Sequence, residues 1–205
     1  MSSKYFIFIL MGLGMFLSCQ EKYSNETFGQ PEAGFKEYKI LKGEAYSTDS
    51  TSIITLNGIT EMKFKFRFDN SAVYTTKDPS NQADINKLYG FADCVSFTTQ
   101  YTIAPHHINS ARFGWSWYNQ ALRIYAYYYN DSVRLYKELR TVDIGKTYTA
   151  GIKLIPGGYE FTIDNKKDTV IRKCAMPTIS GYKLFPYFGG TETAPHTITI
   201  SLKEL

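Results

Sequence analysis

Apolar and polar residues alternate with a period of two along most of this chain, and no other sequence feature constrains the fold as strongly. Segment 61–68 places Met and Phe at its even positions and Glu, Lys and Arg at its odd positions, and segment 121–129 alternates in the same way. Successive side chains of a β-strand point to opposite faces, so this pattern indicates strands with one buried face. No convincing long amphipathic helix appears.

Turn-forming residues separate these alternating runs. We interpret them as hairpin connections between consecutive strands, at 118–120, 130–132, 143–146, 156–158 and 164–167. Many short strands joined by tight turns are typical of an antiparallel sandwich or jelly roll. The sequence therefore predicts an all-β fold, a single antiparallel β-sandwich.

The N-terminus has the pattern of an export signal. Lys4 precedes the apolar run Tyr5–Leu17, which is shorter than the roughly 20 apolar residues that span a bilayer as a helix. The triplet ending at Cys19, Leu-Ser-Cys, resembles the bacterial lipobox, which implies cleavage before Cys19 and lipid on that cysteine. An ordinary secretory signal and an uncut membrane anchor are the alternatives.

These features predict three segments. Residues 1–18 form a lipoprotein signal peptide, residues 19–35 a flexible tether rich in polar residues, Gly and Pro, and residues 36–205 the β-sandwich domain. The polar leader after Cys19 resembles that of Bacteroidetes-type lipoproteins, some of which are sorted onto the cell surface. We therefore expect a cell-envelope protein that is lipid-anchored to the outer membrane. The sequence leaves open which side of that membrane, outer or periplasmic, carries the protein.

Charge gives no sign of a nucleic-acid partner. Without residues 1–18, 187 of the 205 residues remain, and the net charge falls from +4 to +3 because Lys4 is lost. No Lys/Arg cluster resembles a nucleic-acid footprint. Phosphate-binding loops, Cys-x-x-Cys pairs and His-Glu-x-x-His motifs are absent from the sequence, so we expect neither a metal nor a cofactor.

Two cysteines remain beyond Cys19. Cys94 and Cys174 could form one disulfide in an oxidising compartment, or remain two unpaired buried thiols. The sequence leaves both alternatives open.

From about Tyr38 onward, the order of strands resembles the concanavalin-like jelly roll of legume lectins, laminarin-type glucanases and several polysaccharide lyases. The runs 123–129, 133–139, 147–155, 159–163 and 197–202 carry this resemblance. The segments 90–94, 109–115, 181–190 and 194–200 also look like parts of uncharacterised Bacteroidetes lipoproteins. The resemblance implies a fold and a habitat but assigns no activity.

A first candidate site is the segment 105–112, which contains His106, His107 and Arg112. Polysaccharide lyases neutralise a uronate with Arg, Asn, Gln or His and use His or Tyr as base, and a tyrosine of the next strand would complete such a set. In a strand, however, His106 and His107 would face opposite sides and could not both enter one cleft. A cluster that organises the fold through hydrogen bonds is the alternative.

A second candidate is one face of the segment 121–129. Tyrosine rings can stack on sugars, and arginine can pair with uronate or sulfate. Cross-strand packing of the tyrosines is the simpler alternative. The residues that share this face are Arg123, Tyr125, Tyr127 and Tyr129.

A carboxylate pair for glycoside hydrolysis is not evident. Glu160 and Asp164 share a strand face but stand about 13 Å apart at about 3.3 Å per residue, beyond the separations of about 5–9.5 Å that such enzymes use. The Glu-x-Asp-x-x-Glu pattern of laminarinase-type jelly rolls is also absent.

Three functions are consistent with the sequence. We expect first a membrane-anchored, non-catalytic glycan-binding or adhesion module, with polysaccharide as its ligand. The alternative is a polysaccharide-active enzyme, lyase-like, that uses His106 or His107, Arg112 and a tyrosine. A structural envelope lipoprotein that binds another protein is the third, and fold alone does not decide among them.

Overall fold

The computed structural model describes residues 33–48 and 52–205. The described chain contains short 3₁₀ turns at Asn70–Ala72, Pro79–Asn81 and Pro105–His107. Its strands are β1 (Lys36–Ile40), β2 (Thr55–Ile59), β3 (Glu61–Phe68), β4 (Asn86–Ala92), β5 (Ser110–Tyr118), β6 (Ala121–Asn130), β7 (Val133–Val142), β8 (Tyr148–Ile155), β9 (Gly158–Ile163), β10 (Lys166–Ile171), β11 (Ile179–Leu184) and β12 (Ile198–Glu204).

The strands form two six-stranded sheets. The first sheet has the order β1-β12-β3-β8-β9-β10, and the second has the order β2-β11-β4-β5-β6-β7. Every strand pair is antiparallel. The expected antiparallel β-sandwich is confirmed.

The core lies between the sheets and is built largely of aromatic rings. Phe64 of the first sheet packs edge-on against Tyr89 and Phe113 of the second, with ring centroids 5.1 and 5.6 Å apart. Phe161 meets Phe113 at 5.0 Å. Phe64, Phe113 and Phe161 come from the apolar positions of alternating runs, so burial of one face of each sheet accounts for the pattern in these strands.

Four of the expected hairpin turns join adjacent strands. The β5–β6 turn places Asn119 and Gln120 at φ 52° and 56°, and the β6–β7 turn places Asp131 and Ser132 at 49° and 66°. Two successive residues with positive φ match the twist of a hairpin. Segment 143–146 is different, and its assignment as a hairpin was wrong. It joins β7 of the second sheet to β8 of the first, so it crosses from one layer to the other.

Cys94 and Cys174 are joined by a disulfide, with their Cα atoms 6.2 Å apart. Beside it, the buried Asp93 carboxylate accepts hydrogen bonds from Arg172 and Tyr159, both at 2.8 Å. Asp93 and the two sulfur atoms place potential metal-ligand atoms within 4.8 Å of one another. Sulfurs bonded to each other are not thiolates, so we assign this cluster to holding segment 172–178 against the end of β4.

The predicted signal peptide, and the tether as far as residue 32, lie outside the described residues, as does Cys19. Within residues 33–48 and 52–205, no helix is long and apolar enough to cross a membrane.

Candidate functional site

The outer face of the second sheet carries two adjoining cavities. The main cavity encloses about 500 Å³ and crosses β11, β4, β5 and β6. The side cavity encloses about 330 Å³ and lies over β6 and β7. Four residues line both cavities, which therefore form one continuous groove: Lys87, Tyr127, Arg134 and Gly190.

Arg112 lies in the floor of the main cavity. It belongs to β5, and its neighbours Ala111 and Phe113 point into the core, so the alternation of the strand directs Arg112 to the outer face. Arg112 is 7% exposed to solvent, and its Nε has no hydrogen-bond partner among the described residues. Within the described ranges, no carboxylate lies within 4.0 Å of it. The Tyr127 ring lies 5.2 Å from its Cζ. Buried charges are normally paired, so a buried guanidinium without a carboxylate partner is a candidate binding point for an anion.

His106 and His107 both line the main cavity. The expectation that they would face opposite sides was wrong, because the residues are not in a strand. They form the 3₁₀ turn Pro105–His107, and their ring centroids are 4.3 Å apart. Proline at the start of this turn sets its backbone angle. The sequence signal for the turn is that proline, which the strand-based argument did not weigh.

Burial favours the neutral form of both imidazoles. It lowers the pKa of His106 to about 4, and the charge of Arg112 acts in the same direction. The pKa of His107 is also lowered, first by burial and then by Arg112 and Lys87. Neutral imidazole nitrogens can accept protons.

Tyr182 faces His106 across the main cavity. Its hydroxyl lies 2.9 Å from His106 Nδ1, and burial raises its pKa. It is therefore a protonated phenol near neutral pH, held in place by an imidazole. Tyr182 belongs to β11, far from His106 in sequence, and sequence reasoning did not select it.

Sequence reasoning also did not select Lys87 and Arg134. Lys87 lies at the junction of the two cavities, 8% exposed, and donates a 2.6 Å hydrogen bond to the carbonyl of Gly189. Burial and two nearby arginines lower its pKa to about 7. The sequence signal for Lys87 was a lysine among the residues of β4. In the structure, every residue of this strand is buried. An unpaired lysine in a buried strand is unusual.

The tyrosine face of β6 divides between the cavities. Tyr129 lines the main cavity, and Tyr127 lines both cavities. Tyr125 and Arg123 line the side cavity. Tyr125 and Tyr127 are only 7% and 4% exposed, so they contribute to the groove floor and offer little ring surface for stacking. The exposed rings lie further out. Tyr46 beside the main cavity is 70% exposed, and Tyr136 beside the side cavity is 60% exposed.

Carboxylates are few along the groove. Of the described residues that line the main cavity, none is acidic, and the side cavity has Asp84 and Glu138. Glu138 forms a 2.8 Å ion pair with Arg123. The described groove thus presents cations, imidazoles and phenols, which suit an anionic ligand better than carboxylate-pair hydrolysis.

No protein-family model matches this sequence, and no curated protein matches it. Solved structures with a similar fold include a glycoside hydrolase family 16 protein from Bacteroides ovatus, in complex with a glucan product. It is 9% identical with a TM-score of 0.52, over 86% of this chain and 84% of that one.

Two alginate lyases are also similar. AlyC3 is 11% identical with a TM-score of 0.52, over 82% of this chain and 69% of that one. Lyase A1-II′, of polysaccharide lyase family 7, is 10% identical with a TM-score of 0.50, over 85% and 82% of the two chains. The fold is the concanavalin-like jelly roll. At these identities the likeness establishes the fold and leaves the activity to the geometry of the site.

One expectation is corrected by these comparisons. The sequence favoured a non-catalytic module over an enzyme, but the similar solved structures are glycoside hydrolases and polysaccharide lyases. The lyase-like alternative agrees better with them and with the groove.

Proposed function

We propose that the protein cleaves an acidic polysaccharide by β-elimination in the main cavity. The observation that carries this proposal is Arg112, a buried guanidinium without a carboxylate partner in the described chain, beside two neutral imidazoles and a protonated phenol. A uronate carboxylate placed on Arg112 would supply the missing charge partner.

The same contact would assist the chemistry. Elimination removes the proton at C5 of the uronate, and negative charge develops on its carboxylate. Arg112, which is itself 7% exposed, would stabilise that charge more in the transition state than in the ground state. The C5–H electron pair then forms the C4–C5 double bond, the C4–O4 bond breaks, and O4 takes up a proton.

His107 is the proton acceptor in this proposal. Its ring nitrogens make no hydrogen bond within the described part of the chain, burial lowers its pKa and so favours the unprotonated form, and it lies closer to solvent than His106. A base must be unprotonated and able to approach the substrate. His107 would end the step protonated and return its proton to solvent.

Tyr182 is the proton donor to O4, and His106 is a positioning residue for it. The 2.9 Å contact between Tyr182 Oη and His106 Nδ1 fixes the phenol at the cavity wall. After donation, Tyr182 would regain a proton from solvent. Water is not consumed, which separates this reaction from hydrolysis.

The test is incubation of the purified protein with alginate and with polygalacturonate, followed by ultraviolet absorbance of the unsaturated product. We expect absorbance to rise with the wild type. Arg112→Met and His107→Asn should each lower kcat/KM by at least about 100-fold, the usual size of one acid–base or charge-stabilising contribution. Arg67→Met is the matched control, because Arg67 lies on the polar face of β3 in the other sheet.

Two results would contradict the proposal. One is new reducing ends without ultraviolet absorbance, which means hydrolysis. The other is full activity in Arg112→Met, provided that thermal unfolding shows the variant to be folded.

A further inference from the structure

Lys87 is a second buried cation without a carboxylate partner in the part of the chain that the structure describes. Among the described residues, no Asp or Glu oxygen lies within 4.0 Å of its ammonium group, and its one hydrogen bond goes to the Gly189 carbonyl. The rings of Tyr127 and Tyr187 lie 5.1 and 5.6 Å from it. These contacts orient the ammonium group but leave its charge without a negative partner.

The backbone fixes Lys87 in this position. β4 and β5 change register between Lys87 and Tyr89, and on its other side Lys87 exchanges backbone hydrogen bonds of 2.8 and 3.0 Å with Tyr187. A bulge of this kind redirects a side chain and is common beside functional sites. Lys87 opposes Gly114, which carries no side chain to cover it.

Arg134 extends the positive charge into the side cavity. It lies on β7, lines both cavities and makes no ion pair within the described chain. Lys87 and Arg134 act on each other as like charges, since Arg134 lowers the pKa of Lys87. An anion placed between them would remove this repulsion.

We propose that Lys87 and Arg134 form a second anion subsite, which takes the carboxylate of the sugar unit next to the one held by Arg112. The ligand class is therefore a polysaccharide with acid groups on consecutive units. A polymer in which acidic and neutral sugars alternate would fill only one of the two subsites. This inference rests on the proposed function only in taking an acidic polysaccharide as the ligand.

The surroundings of Lys87 predict how binding depends on pH. Arg112 and Arg134 oppose its charge and Asp84 favours it. The other groups facing it are the imidazole of His107, whose pKa Lys87 lowers, and the phenols of Tyr127 and Tyr187. Because the free-state pKa of Lys87 is about 7, a bound carboxylate should draw a proton onto the amine. Affinity should therefore fall as pH rises from 6 to 8.

The experiment measures Kd by calorimetry with His107→Asn, which limits cleavage. The probes are oligogalacturonate or oligomannuronate, with consecutive acids, and hyaluronan oligosaccharides with the same number of acids in alternation. We expect the consecutive probes to bind about tenfold more tightly, the equivalent of one charge-assisted contact. Adding Lys87→Met or Arg134→Met should remove that preference, and Lys87→Arg should keep it and abolish the dependence on pH.

Lys166→Met on β10 of the other sheet is the control and should change nothing. Equal affinity for both kinds of probe, or an unchanged preference in Lys87→Met, would overturn the second subsite even if unsaturated product is formed. Loss of the preference in Lys87→Met without unsaturated product from any polymer would support the subsite and reject elimination.

Discussion

Two buried cations, Arg112 and Lys87, lie at the floor of the groove, and neither has a carboxylate partner among residues 33–48 and 52–205. Each costs folding free energy, because a charge is removed from water without a partner. Residues that destabilise the fold in this way are typical of binding and catalytic sites. Replacing such a residue with a neutral one should therefore raise the stability of the fold and impair its function.

Lys87→Met should stabilise the free protein at pH 7. The pKa of Lys87 is about 7 in the folded chain and near 10.5 in the unfolded chain, so the unfolded state binds more protons between these values. Folding stability of the wild type thus rises with pH across that window. At pH 7 we expect a gain of roughly 4–5 kcal/mol for the variant, because the pKa differs by about 3.5 units between the two states and each unit is worth about 1.4 kcal/mol.

Urea unfolding at pH 7 and at pH 10.5 checks this prediction. The advantage of Lys87→Met should shrink at pH 10.5, where half of the unfolded lysine is also neutral. An advantage of equal size at both pH values would show that packing, rather than charge, is responsible.

His106 should make the fold sensitive to acid. Its pKa is about 4 in the folded chain against an ordinary value of 6.5, so the unfolded state takes up a proton first as the pH falls. Stability should decline from pH 6.5 to pH 4, and His106→Asn should flatten that decline. Tyr182→Phe is the matched control for urea unfolding at both pH values, since it removes the contact but leaves His106 buried. A decline of unchanged slope in His106→Asn would contradict the assignment.

Sequence reasoning located part of this site. Arg112, His106 and His107 are close in sequence, and their residue types suggested uronate chemistry. Lys87 and Tyr182 come from β4 and β11, and only the pairing of these strands brings them to the same groove. Local patterns carry no information on such pairing, which depends on the global order of strands.

At the scale of elements, β11 holds the wall of the main cavity through its close approach to β4. A Cβ on Gly181 would lie 1.9 Å from the backbone carbonyl oxygen of Ala92. Only glycine permits this approach, and the next residue along is Tyr182. The position of the proposed proton donor therefore depends on the absence of a side chain at Gly181.

Gly181→Ala should push β11 away from β4. We expect a loss of about 1–3 kcal/mol in the free energy of unfolding, as for other overpacked positions, and a lower kcat through displacement of Tyr182. Denaturant unfolding and the ultraviolet assay measure the two effects. Gly43→Ala is the control for alanine substitution on the surface, because a Cβ there meets nothing within 4 Å, although its φ of 83° adds local strain. Wild-type stability and kcat in Gly181→Ala would contradict this account.

The strands themselves were largely predictable, because alternation marks a half-buried strand wherever it occurs. β4 was harder to recognise. All of its residues are buried, including Asn86 and Lys87, so the strand lacks the polar face that creates the pattern. The 143–146 connection was misassigned because turn residues look alike in a hairpin and in a crossing between sheets.

At the scale of the whole molecule, we propose that the sandwich is held at the cell envelope by lipid on Cys19. The support is the apolar run before Leu-Ser-Cys and the polar leader after it. An anchored, exported domain would meet extracellular polymers, which agrees with a groove suited to acidic polysaccharide.

Cys19→Ser should release the protein from the membrane fraction of the expressing bacterium, because one acylated residue supplies the anchor. Immunoblots of membrane and soluble fractions measure the distribution. Cys94→Ser is the control, since it removes a cysteine of the folded domain and leaves Cys19 intact. Full membrane retention of Cys19→Ser would reject lipid anchoring at this residue.

The disulfide between Cys94 and Cys174 has a consequence for resistance to proteolysis. The two cysteines are 80 residues apart, and the chain between them includes β5 to β10. A protease that cuts an exposed turn in this interval, such as Asp131–Ser132, leaves two pieces that are still covalently joined. The severed ends belong to a hairpin whose strands remain hydrogen-bonded to each other. A nicked molecule should therefore migrate as one band without reductant and as two with it.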